Sequence, residues 1–346
     1  MKLILASSQE AQTAYDIVRD LQDRFVAKLN TLSQNIGEKK NFEEVTWLRD
    51  EGLHGGGSRF EFRDDKLFNT ASVNVSQVHY DEMPEKNLKS ATAISTIIHP
   101  RNPNVPSVHI HISLTELRDG SSYWRLMADL NPSVYNEHDK NVFDVALNNL
   151  SLELYEEGTQ QGDKYFNIPA LQRHRGISHF YLENYKSDNK RADEEFARNF
   201  GEGIIDSYID IITDAYKTRA SFSSKDIHSQ LEYHTLYLFQ VLTLDRGTTS
   251  GLLIHNQNDI GIMGSLPSYV DRELLRSWAP KVEFPQDLLV KALVNAIGID
   301  GKIDIPTKAK LAEVVRNHYK SHPEALKMQA SGNSIPSTVN NHDKAD

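Results

Sequence analysis

Residues Ile97 to Asn131 read IIHPRNPNVPSVHIHISLTELRDGSSYWRLMADLN, and within them Val108-His109-Ile110-His111-Ile112-Ser113 alternates apolar and polar side chains at period two. Successive side chains of a strand leave opposite faces, so this period predicts a strand that buries Val108, Ile110 and Ile112. His109, His111 and Ser113 then share the other face. The preceding His99-Pro100-Arg101-Asn102-Pro103 is a rigid, proline-bracketed corner that turns the chain into the strand. A second strand-like run ends in Asp129-Leu130-Asn131-Pro132, an acid before a proline-stopped turn. Two imidazoles on one strand face and a carboxylate at a nearby strand end are what a proton-transfer site needs, so His109 and Asp129 are expected to face one cleft.

Outward from this hairpin, residues 42–130 are short alternating runs separated by Gly, Asn, Asp and Pro, the text of several strands. Ser7 or Ser8 is placed to cap a helix whose apolar stripe is Tyr15, Val18, Leu21, Phe25, Leu29 and Leu32, broken near Gly37. Residues 138–158 and 191–219 carry helical spacing, as do 286–297 and 307–319. The long apolar and aromatic run from Tyr233 to Leu244 predicts a central strand. Asp245 to Gly251 would be its turn, with Leu252 to Leu266 returning as one or two strands. Helices and strands without regular βαβ alternation indicate an α+β fold with a large, mainly antiparallel sheet. No Gly/Ser/Pro-rich linker divides the middle, so residues 1–330 read as a single domain, with 331–346 a polar, disordered tail.

The chain has 346 residues and a formal net charge of -10, against the basic surface of a general nucleic-acid binder. A local cluster of Arg and His can still make a cleft attractive to an anionic small molecule. With 0 cysteines there is no disulfide, thiolate metal site, iron–sulfur cluster or cysteine nucleophile. The apolar start MKLILA is too short for a signal peptide or a membrane span, and the expectation is a cytoplasmic protein. Three glycines at Gly55-Gly56-Gly57 lack the Lys-Ser/Thr and the strand-to-helix setting of a phosphate loop, so they are read as structural. His109 and His111, spaced i, i+2 on a strand, could instead ligate a metal with a third ligand from His79, His99 or Asp129, or be polar residues on a solvated strand face.

The same residues carry a resemblance. A corner H-P-x-N-P, then P-x-V-H-x-N-x-R, then W-F-G-G-G-x-D-L-T-P is the signature of oxygen-dependent coproporphyrinogen III oxidases; here the text is HPRNPNVPSVHIHIS and YWRLMADLNP. It continues upstream in Trp47-Leu48-Arg49, Gly55-Gly56-Gly57-Ser58-Arg59 and Val73-Asn74-Val75-Ser76. Downstream it includes Arg175-Gly176-Ile177, Asp245-Arg246-Gly247-Thr248 and Ser265-Leu266-Pro267. The blocks keep the family's order over residues 40–270.

The resemblance implies a flat antiparallel sheet sandwiched between helices, usually in a homodimer. It implies oxidative decarboxylation of two propionates of coproporphyrinogen III to the vinyls of protoporphyrinogen IX in haem biosynthesis. Dioxygen is the co-substrate, and neither an organic cofactor nor a metal is required. By position in the motifs, His109 and Asp129 are the catalytic candidates, the carboxylate accepting pyrrole N–H groups and assisting their deprotonation. Ser95, Asn74 and Ser76 are placed at the substrate. His111 stands where the family has Asn and remains a hydrogen-bonding side chain, and Arg175 is a candidate clamp for a propionate. Asp245 to Thr248 is read as structural. Ser113 replaces a family arginine, and Arg125-Leu126-Met127 stand where the family has three glycines. A diverged paralogue that binds a tetrapyrrole without turnover, and a metal-dependent enzyme built on His109 and His111, are the alternatives.

Overall fold

The computed structural model describes residues 2–37, 40–63, 66–254, 256–333 and His342. Helix α1 (Gln9–Asn35) starts where Ser8 accepts the backbone N–H of Ala11 at 3.1 Å, which satisfies one of the free amides of its first turn. Six strands follow: β1 (Glu43–Leu48), β2 (Gly55–Phe62), β3 (Phe68–His79), β4 (Leu88–Pro100), β5 (Ser107–Leu117) and β6 (Ser122–Asn131). Helices α2 (Glu137–Ser151) and α3 (Tyr155–Phe166), the short strands β7 (Asn167–Ile168) and β8 (Arg173–His174), and β9 (Ser178–Tyr185) come next. Helices α4 (Lys190–Thr218), α5 (Ser224–Thr243), α6 (Arg246–Ile254), α7 (Asp259–Ile262), α8 (Arg272–Trp278), α9 (Gln286–Ala296) and α10 (Ile305–Ser321) complete the order.

The main sheet runs β1-β2-β3-β4-β5-β6-β9, every neighbouring pair antiparallel, with helices on both faces. This is the α+β architecture expected from the sequence. Val73, Val75, Ile94, Val108, Ile110, Ile112, Leu126 and Leu130 leave one face and join α1, α2 and α4 in the larger core. Ile110 is 1% exposed. Burying a side chain of that size is worth about 1.5–3 kcal/mol, and a one-residue slip in β5 would turn it to the other face, so this packing holds the register. Helices α5, α6 and α8 to α10 make a second core across the opposite face.

Three expectations are corrected. Tyr233 to Thr243 is the C-terminal part of α5, not a central strand. Every residue from Tyr233 to Thr243 is buried, because α5 is covered by the sheet on one side and by the other helices on the rest; a helix buried all round loses the 3.6-residue period that would reveal it. Its start is nonetheless marked by a capping box between Ser223 and Asp226. Asp245 to Gly251 is not a hairpin turn, and Leu252 to Leu266 does not return as strands. Asp245 accepts the Thr248 N–H at 2.6 Å and starts α6, and short helical turns follow to Ser265. Residues 138–158 form two helices, parted at Leu152 with φ 47°. Most of the expected tail, 331–346, lies outside the described residues. Among the described residues no helix is long and apolar enough to cross a membrane.

Candidate active site

The open face of the sheet is set by cross-strand register. Ser72, Ile97, His109 and Asp129 are successive partners across β3, β4, β5 and β6. The next row is Asn74, Ser95, His111, Met127 and Tyr181, and the one after is Ser76, Ala93, Ser113 and Arg125. Most of the β3 and β4 side chains in these rows end one or two atoms beyond Cβ, so they leave space between the sheet and the helices above. That space is a cleft of about 330 Å³, roofed by Tyr237 and Gln240 of α5 and by Asp245, Arg246 and Thr248 at the start of α6. Its volume falls in the range of small-molecule sites, ~300–1,000 Å³.

At one end stands the pair expected from the sequence. Antiparallel register places His109 directly opposite Asp129, and His109 Nδ1 donates to Asp129 Oδ1 at 2.9 Å. The second oxygen, Oδ2, accepts from Arg175 Nη2 at 2.9 Å and from Asn131 Nδ2 at 2.6 Å. Burial pushes the Asp129 carboxyl up, but the neighbouring Arg175, then His109 and the hydrogen bonds it receives, outweigh burial and hold it below the ordinary carboxylate range. Because an ionised carboxylate can only accept, Nδ1 is the donating nitrogen of His109 and Nε2 is the ring nitrogen left to face the cleft.

This geometry sets the two charged residues, Asp129 and Arg175, apart in their relation to the cleft. Asp129, expected to face the cleft, is 0% exposed and does not line it; its link to the cleft runs through His109. Arg175 is 1% exposed, ion-paired with Asp129, and stacked between Phe166 at 4.7 Å and Tyr237 at 5.0 Å. Arg175 also lines the cleft, and its Nε and Nη1 have no hydrogen-bond partner among the described residues.

His111 bridges two serines, with Ser95 Oγ at 2.6 Å and Ser113 Oγ at 3.0 Å from its ring nitrogens. Burial, then Arg125, then His109 pull its pKa down to about 3, so it is a neutral ring with one donating and one accepting nitrogen. With both nitrogens engaged, His111 is poorly placed to share a metal with His109. His99, also considered as a third ligand, is a core histidine 0% exposed, bonded to Ser107 at 3.1 Å and packed against Tyr233, His234 and Tyr237. His79 turns to the Ile4 carbonyl at 3.1 Å. Among the described residues no three potential ligands gather. Ser95, Asn74 and Ser76 all line the floor, and Asn74 Oδ1 is buried there without a partner among the described residues. Gly55 is structural, as expected: its φ is +91° and an added Cβ would lie 2.1 Å from the Gln77 carbonyl oxygen.

Two cleft residues were misread in the sequence. Asp245 accepts from Tyr165 Oη at 2.6 Å as well as from the Thr248 amide, and Arg246 Nη2 lies 3.2 Å from Glu183 Oε1. Burial raises the Asp245 carboxyl, but these hydrogen bonds more than offset it and keep it ionised. An acid followed three residues later by Thr, ahead of Ser-Gly-Leu-Leu, was a readable helix start. The all-round burial of α5 hides it, because a strand in that place would require a turn at Asp245.

A seven-stranded antiparallel sheet whose open face carries a His–Asp pair under a helical roof defines an α+β protein with a small-molecule cleft on that face. The chain belongs to the coproporphyrinogen III oxidase family, whose sequence profile matches residues 13–297. An oxygen-dependent coproporphyrinogen-III oxidase of Drosophila melanogaster is 28% identical over 319 residues, 85% of this chain and 80% of the fly protein. One from Prochlorococcus marinus (strain MIT 9301) is 28% identical over 299 residues, 73% of this chain and 82% of its own length. The Mus musculus oxygen-dependent coproporphyrinogen-III oxidase, a mitochondrial protein by name, is 27% identical over 267 residues, 68% of this chain and 58% of the mouse protein.

Proposed function

We propose that this chain is an oxygen-dependent coproporphyrinogen III oxidase of haem biosynthesis. The observation that carries the reading is the His109–Asp129 pair at the end of a small-floored cleft, in a chain matching that family from residue 13 to residue 297. For each propionate the balance is one carboxylic acid side chain and one dioxygen in, and one vinyl, one carbon dioxide and one hydrogen peroxide out. Two electrons leave the side chain with the breaking C–H and C–C bonds and reduce dioxygen.

In this reading His109 Nε2 accepts a pyrrole N–H proton, which leaves an electron-rich ring able to react with dioxygen. Asp129 and Arg175 are positioning residues: the carboxylate fixes the tautomer and orientation of His109 and stabilises the imidazolium that forms, and the guanidinium keeps the carboxylate ionised. The Ser95–His111–Ser113 chain and Asn74, with Ser76 beside them, offer polar contacts to the face of the macrocycle. Dioxygen is the oxidant, and no resident metal or organic cofactor is called for. A homodimer and a cytoplasmic location are parts of the same proposal; the free outer edge of β1, with Glu43 to Thr46 exposed, supports a further chain contact.

The test is anaerobic coproporphyrinogen III mixed with the purified chain, followed by air and fluorescence identification of the product. Protoporphyrin after oxidation supports the reading, and tight binding without product replaces it with a tetrapyrrole binder. Arg125 projecting from a strand position where family members carry glycine is the feature that favours that second outcome. Metal analysis of the active protein, sedimentation mass and cell fractionation check the remaining parts.

A further inference from the structure

The cleft holds three guanidiniums, and they differ in what they face. Arg175 is paired with Asp129 at 2.9 Å, and Arg246 lies 3.2 Å from Glu183. The remaining cleft acid, Asp245, is engaged by Tyr165 and the Thr248 amide. Arg125 of β6 makes no ion pair or side-chain hydrogen bond among the described residues, and its Nε is buried without a partner. Around it are the rings of Tyr123, Tyr165 and Tyr181, with burial pushing the last two phenols up, and Glu183 lies beyond them; its cross-strand partner is Ser113. Beyond Ser113 the row continues through Ala93 and Ser76, so nothing bulky stands between the guanidinium and the floor. Glu183 is near enough to act on it through charge but is engaged by Arg246, and a half-buried cation with no acid of its own leaves a place for a carboxylate.

Its position says which carboxylate. Arg125 precedes Asp129 by four residues on one strand, ~13 Å by strand rise, whereas His109 is directly opposite Asp129. A group held at Arg125 is therefore far from the reacting imidazole. Resting on the oxidase reading, we propose that Arg125 binds a propionate of the macrocycle that is not the one being lost, and so decides which side chain is presented to His109. His111, between the two ends, is a neutral hydrogen-bonding spacer and cannot take that carboxylate as an ion pair.

The experiment uses coproporphyrin III, which cannot react, for equilibrium binding, and coproporphyrinogen III for turnover. Arg125→Gln is expected to weaken coproporphyrin binding and raise KM by on the order of ten- to a hundredfold, with kcat within a few-fold. Arg125→Gln combined with Ser113→Arg restores a guanidinium one strand away on the same face and is expected to recover most of the binding. A purely structural role for Arg125 would not be rescued in this way. Unchanged affinity and KM in Arg125→Gln, or no rescue in the double variant, overturns the inference, and the double variant decides alone if the single one fails to fold. If the unaltered chain binds coproporphyrin but forms no product, the oxidase reading falls and the affinity loss in Arg125→Gln still decides the inference. If it does neither, both fall.

Discussion

At Asp129 one carboxylate takes hydrogen bonds from His109, Arg175 and Asn131, and each bond constrains what a substitution there can do. Asp129→Asn keeps the shape but can no longer fix the Nδ1 proton of His109, because an amide can donate as well as accept. Turnover is expected to fall by on the order of 10²–10⁴, with coproporphyrin binding nearly unchanged, since the loss belongs to proton transfer and not to recognition. Equal activity in variant and parent would remove Asp129 from the mechanism. The same change strands the buried Arg175, at a stability cost of up to about 3–5 kcal/mol, read as a lowered urea midpoint. The sign with pH follows from the lowered carboxyl: the pairing stabilises fully above the unfolded aspartate value, about 4, and fades as pH falls through the lower folded value. His109, His111 and Asp129 were legible in the sequence because the period-two pattern assigns a face without knowledge of the rest of the chain. That Asp129 is buried behind His109 was not legible, because it depends on Arg175 arriving from another part of the chain.

Among the elements, β3 and β4 are shaped to leave room and α5 is shaped to close it. Ala93 lies mid-floor on β4, partly exposed to the cleft between Ser76 and Ser113. Ala93→Phe would put a ring where the ligand lies. Coproporphyrin affinity is expected to drop at least about tenfold while Tm moves by no more than a few degrees, because the added side chain enters existing space and not a packed core. A large fall in Tm with retained affinity would mean that the floor is packing and the cleft lies elsewhere. Strands β1 to β6 announce themselves because their two faces meet different surroundings. Helix α5 does not, since every residue from Tyr233 to Thr243 is buried and no exposed stripe marks its period; Asp245 and Arg246, which follow it, are hidden as cleft residues for the same reason. The capping box at Ser223 and Asp226 was the available local signal.

Over the whole molecule, burial of neutral histidines between the sheet and α5 sets an acid limit. Burial pushes His99 well below its ordinary pKa, aided by His234 and Arg175, and burial with Arg101 takes His234 down to about 3. His111 is at about 3 as well. Unfolded histidines take up protons near pH 6.5, so below that value the unfolded chain binds more protons than the folded one and stability declines as pH falls toward 3. Each such histidine contributes a slope of up to about 1.4 kcal/mol per pH unit in that window. Urea unfolding at pH 7, 6 and 5 should show the decline, and His234→Gln should make it shallower; an unchanged slope would mean that His234 is protonated in the folded chain.

The amino-acid sequence by itself determined the strand-rich segment that forms β1 to β6, the buried face of β5, the capped first helix and the residues of the His–Asp pair, because strand period, helix period and caps are properties of a few adjacent residues. The ordered motif blocks also indicated the family before any geometry was considered. Only the tertiary structure decided that α5 is a helix and roofs the cleft, that Arg175 serves Asp129, and that Arg125 lines the cleft with no ion pair of its own among the described residues. Those outcomes depend on which distant side chains share a space, and nothing in the local period of a segment records what will be packed against it.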